Sequence, residues 1–125
     1  MNSLNLARTA YSSATASIRT HQSTEYDVFV KITARLKSAL KRGKPGFPDL
    51  ARALHDNGRL WTLLAANVAD DDNALPDMLR ARILYLAEFS LQHSGKVLAG
   101  TGSADILIEL NTTVMRGLRE QEAAA

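Results

Sequence analysis

No cysteine occurs in the 125 residues. That alone excludes disulfides, thiolate–zinc sites and thiol nucleophiles, and it suits a reducing compartment. Long apolar runs are missing too. None approaches the ~18 residues that cross a bilayer, so no membrane insertion is expected. The first residues lack a basic region followed by an apolar stretch, so no secretory signal is visible and a cytoplasmic location is the expectation. Neither sign of charge dominates: 15 Lys and Arg stand against 13 Asp and Glu, a net of +2. The sequence pI near 9.2 reflects that small surplus. So weak a field offers little general attraction to nucleic acid or anionic lipid.

Catalytic and metal-binding patterns are equally scarce. The three histidines, His21, His55 and His93, include no His-x-x-x-His pair and no His-Glu-x-x-His, so no zinc site is expected. Asp70-Asp71-Asp72-Asn73 lacks the alternating ligands, the Gly and the distal Glu of a calcium loop. It reads as a solvated turn. Gly43-Lys44-Pro45-Gly46 is too short for a phosphate loop and follows no strand. No nucleophile elbow is present. The expectation is a protein that is not an enzyme, with no catalytic residue, cofactor or metal.

What remains is helix. Strand-like alternation is absent, and apolar residues recur with a period near 3.6. A length of 125 residues and a hydrophobic fraction of 46% suit one globular domain over residues 1–125. The spacing predicts five helices. The first covers about Leu4 to Ile18 within residues 1–20, with a thin stripe of Leu4, Ala7, Tyr11, Ala14 and Ile18 among Ser and Thr. Those neighbours compete for backbone hydrogen bonds, so this helix is expected to be the least stable. The second covers about Thr24 to Lys41 and carries Phe29, Ile32 and Leu36 on one face, with Gly43 as its stop. The third, from about Pro48 to Val68, places Leu50, Leu54, Trp61, Leu64 and Val68 on one stripe. Gly58 lies inside it, and a break or kink there is open. After the polar turn Asp70 to Leu75, Pro76 and Asp77 begin a fourth helix that runs to about Leu98. Its main stripe holds Leu79, Ile83, Leu86, Ser90 and Val97, with Leu84, Leu91 and Leu98 on a second side and Met78, Tyr85 and Phe89 on a third. A helix apolar nearly all round is expected at the centre of the bundle. The fifth, about Ser103 to Arg119, has Ser103 as its cap. Ile108 and Met115 fall on a side apart from its core stripe, and residues 120–125 are expected to fray. The fold class is therefore all-α: a small bundle of four core helices plus an N-terminal helix.

Two residues invite a partner as well as a core. Trp61 is a stripe residue, which favours packing over an interface anchor. Tyr11 sits on a helix with few large apolar neighbours, so docking within the chain and contact with a partner both stand. Six cations from Lys31 to Lys44 are read as a solvated face, because aromatics are not interleaved with them. Direct nucleic-acid binding is therefore not expected.

The order of several short motifs resembles the FlaF family of flagellar biosynthesis regulators over most of the chain. These are Ala10-Tyr11, the acidic helix start at Glu25, Asn57-x-Arg59-Leu60-Trp61, Asn73-x-Leu75-Pro76, the helix around Phe89, and Leu107-Ile108-x-x-Asn111 followed by Gly117-Leu118. Gly58 and Ser23-Thr24 depart from the family's pattern. The resemblance implies a flagellin-binding export helper that works with a second regulator, FlbT. It implies partners rather than substrates. The candidate contacts are Leu4, Tyr11, Ile18, Ile108 and Met115, with Trp61 below them. The alternative it leaves is control of flagellin messenger RNA, directly or through FlbT.

Overall fold

Four of the expected helices are present in a computed structural model, which describes residues 25–124 and the side-chain surroundings as far as residue 120. The expected first helix lies outside the described residues. Helix α1 spans residues 25–41. A 3-10 turn at Lys44–Gly46 leads into α2 (Phe47–Ala69), followed by α3 (Asp77–Leu98) and α4 (Asp105–Ala124). No strand occurs among the described residues.

Short connections make each helix antiparallel to the next. Arg35 meets Asp56 and Glu25 meets Asn67 across α1 and α2. Asn57 meets Ser90 and the Val68 carbonyl meets Arg80 across α2 and α3. The bundle is thus up-down-up-down, with α3 packed on both α2 and α4. One stripe of each helix fills the core: Phe29 and Leu36, then Leu54, Trp61 and Leu64, then Ile83 and Ala87, then Leu107, Val114 and Leu118.

The turns follow from local chemistry. α3 ends with Gly100 at φ 80°, a conformation that disfavours any side chain. The Thr101 N–H bonds to the Lys96 carbonyl and the Gly100 N–H to that of Val97, so two orphan carbonyls are satisfied. Ser103 Oγ accepts the Asp105 N–H and caps α4, as its sequence position predicts. His93 Nε2 lies 2.8 Å from the Ser103 carbonyl, and its ring stacks on Phe89. That contact ties the α3–α4 turn back to α3.

The α2–α3 turn is closed by Arg80 and Asn73. Arg80 Nε donates to the Val68 carbonyl (2.7 Å) and Nη2 to that of Asp70 (2.8 Å). Asn73 Nδ2 donates to the Asn67 carbonyl, while its Oδ1 accepts the Leu75 N–H. A cation at a helix C-terminus also opposes the negative dipole end. Leu75 is buried beneath, and Pro76 starts the next helix. Arg80→Ala is expected to cost about 1.5–3 kcal/mol, because it orphans carbonyls at the end of α2. A urea titration of that variant measures it, and a shift near zero would mean that water replaces the guanidinium fully.

α2 runs unbroken through Gly58, a point the sequence leaves open. Other expectations need correction. α4 extends to Ala124, beyond the expected end near Arg119. α3 is not enclosed. Met78 is 74% exposed and Tyr85 68%, and Leu84, Leu91 and Leu98 are exposed as well. A four-helix bundle takes one inward stripe from each helix, and that of α3 is already supplied by Ile83, Ala87, Ser90 and Val97. Leu79, the first residue of the expected stripe, is half-buried against the core because it lies in the first turn at the bundle end.

Candidate functional site

Polar side chains in an apolar stripe are costly unless they find partners. Here five of them find one another. Asn111 on α4 is the hub. Its Oδ1 accepts the Trp61 Nε1–H at 2.9 Å, and its Nδ2 donates to Asn57 Oδ1 (2.8 Å) and Thr33 Oγ1 (3.1 Å). Asn57 Nδ2 reaches on to Ser90 Oγ at 3.5 Å. The network takes one or two residues from each of α1, α2, α3 and α4. All five are buried, and no buried side-chain polar atom lacks a partner among the described residues. Phe29 meets the Trp61 ring edge-on at 5.5 Å. A closed network of this kind fixes the register of four helices at once, since a slip of any helix strands a buried polar group.

The motif residues thus divide by task. Asn57, Trp61 and Asn111 form the buried network, and Leu60 is core. Asn73, Leu75 and Pro76 make the α2–α3 turn. Phe89 stacks on His93, and Gly117 borders a shallow groove between α3 and α4. Arg59 and Pro76 stand on the surface. Among the suggested partner contacts, Ile108 and Met115 are half-buried and packed against the core, so they leave little free surface. Leu4, Tyr11 and Ile18 lie outside the described residues. In the sequence nothing marks Thr33 or Arg80 for these tasks, and Ser90 shows only as one more stripe residue. Ser90 did carry a signal, as a small polar residue within an apolar stripe.

The surface carries apolar grooves on either side of α2. One, of about 520 Å³, lies between α1 and α2, with Val28, Ile32, Leu60 and Leu63 along it. Its charges are largely committed. Arg35 pairs with Asp56 at 2.7 Å, and Glu25 accepts from Asn67 at 2.6 Å. The Arg35 hydrogen bond holds the Asp56 carboxyl below the usual carboxylate range. Arg42 pairs with Asp49 and lowers its pKa in the same way. Of the six cations from Lys31 to Lys44, therefore, two are held by carboxylates. The second groove, of about 610 Å³, lies between α2 and α3, with Leu54, Gly58, Leu63, Leu91, Gly95 and Leu98 among its lining. Leu63, on the crest between the grooves, is 62% exposed.

A helical bundle pinned by one buried polar network, with apolar grooves along its outer face, defines a small all-α domain. The chain belongs to the FlaF family: the family model described as "Flagellar protein FlaF" matches residues 7–118. No curated protein and no solved structure matches it. No described helix is long and apolar enough to cross a membrane.

Proposed function

We propose that the chain is a cytoplasmic flagellin-binding protein that acts as a secretion chaperone in flagellar biosynthesis, with FlbT as a second partner, and that it is not an enzyme. The observation that carries this reading is the apolar surface along α2 and α3, where Leu63, Leu84, Leu91 and Leu98 stand exposed in a member of a flagellar family. Flagellin subunits carry amphipathic terminal segments that pair with one another on assembly. Covering such a segment keeps the subunit apart until export. Burying each of the four leucines contributes roughly 1–2 kcal/mol. After the cost of ordering and association, that scale supports micromolar rather than picomolar affinity.

Control of flagellin messenger RNA by direct contact has less support, since carboxylates hold Arg35 and Arg42. Calorimetric titration of soluble flagellin into the protein at two salt concentrations separates the two readings. Apolar binding changes little with salt, whereas RNA binding weakens steeply through counterion release. Binding of flagellin with a weak salt dependence is expected. Tight, salt-sensitive binding of flagellin messenger with none of flagellin would overturn the proposal.

A further inference from the structure

Resting on that reading, we propose that the α2–α3 groove is the seat of a partner's amphipathic helix, laid along Leu84, Leu91 and Leu98 with Gly58 and Gly95 beneath it. The leucines recur every seven residues, so they keep to one side of α3 over its last four turns. They are 40%, 44% and 47% exposed, an even row rather than one stray side chain. A row at that spacing is what a second helix running alongside α3 packs against, its own apolar residues entering the gaps.

The glycines point the same way. Gly58 and Gly95 are interior to α2 and α3, where glycine lowers helix stability relative to alanine. Neither has the positive φ that demands glycine. A Cβ at Gly95 would meet nothing within 4 Å, and one at Gly58 would meet only Leu91 Cδ2, at an ordinary contact distance of 3.4 Å. The fold therefore has no need of them. Both open into the same groove, on opposite walls. There the absence of side chains lets another backbone come close.

The charges supply the occupant's orientation. Arg59 on the α2 side and Glu88 on the exposed side of α3 make no ion pair among the described residues. Their opposite signs favour a helix with an acidic flank towards α2 and a basic flank towards α3. In the α1–α2 groove Arg35, Asp56 and Glu25 already have partners, and no glycine lines it.

Hydrogen exchange of the full chain with and without soluble flagellin locates the seat, and variants test its parts. New protection is expected in residues 54–63 and 84–98. The Gly58→Ala/Gly95→Ala variant should melt at a higher temperature than the parent yet bind flagellin at least tenfold more weakly. Leu91→Asp should bind at least tenfold more weakly with its melt little changed. Protection confined to the α1–α2 groove or to α4, or undiminished binding by both variants, would overturn the groove while leaving the flagellin reading intact. A stable homodimer in sedimentation, with the groove protected in the absence of flagellin, would assign it to a second copy instead. No binding of flagellin by the parent protein would overturn the functional reading and this inference together.

Discussion

Trp61→Ala should destabilise the protein by about 3–5 kcal/mol. Trp61 is the largest fully buried side chain, and it lies on α2 with Phe29 of α1 against its ring and Asn111 of α4 on its N–H. Removing it opens a cavity that three helices must either leave or collapse into. It also leaves the Asn111 Oδ1 without its donor, a separate penalty for a buried polar atom. Domains of this size are stable by only about 5–15 kcal/mol, so the variant should be marginal at physiological temperature. Trp61→Phe separates the two contributions, because it restores much of the ring while removing the N–H. It should cost distinctly less than the alanine change. Urea unfolding followed by far-ultraviolet circular dichroism gives both values without relying on the tryptophan's own fluorescence. An alanine variant within about 0.5 kcal/mol of the parent would show that Trp61 does not hold the core.

The sequence displays the helices because periodicity needs no tertiary knowledge. Pro76 and Gly100 mark ends that the backbone confirms, and the stripe through Leu54, Trp61 and Leu64 is the stripe that is buried. Family motifs also located residues that matter, although not for the reason a motif first suggests. Asn57 and Asn111 are separated by 54 positions, and nothing in one sequence says that their amides meet. Once four helices bring them together, their roles are structural. The enclosure of α3 was misjudged for a related reason. Apolar residues on three sides describe how much a helix can bury, whereas the number of neighbours decides how much it does. Leu91 and Tyr85 stay exposed because the inward stripe of α3 is filled by smaller residues, Ala87 and Ser90 among them. Spacing therefore revealed the seven-residue leucine row but not that it faces outward. Arg80 shows the same limit from the polar side. Its position on the first turn of α3 is legible, but its partners are carbonyls at the end of another helix.

Asn111→Leu should cost about 3–5 kcal/mol, as much as losing a large core side chain, although the replacement is apolar and similar in size. The Trp61 N–H and the Asn57 Oδ1 would each lose a partner in a site closed to water, at about 1–3 kcal/mol per group. The Thr33 hydroxyl adds less, because it can rotate towards a carbonyl of its own helix. Such a penalty depends on the partners that remain. In a Trp61→Phe background no indole N–H is left to strand, so the same Asn111→Leu change should cost at least 1 kcal/mol less than in the parent. A double-mutant cycle by urea unfolding measures that difference, and additive costs would mean that the two residues do not share one network. The cycle bears on specificity as well as stability. If the hub fixes helix register, a variant with Asn57 and Asn111 both replaced by Leu should regain part of the lost stability by removing the mutually stranded groups. It should also lose sharp dispersion in its amide spectrum, because apolar contacts tolerate slips that hydrogen bonds forbid. Regained stability with full dispersion would show that the apolar stripes alone choose the register, and that the network adds only strength.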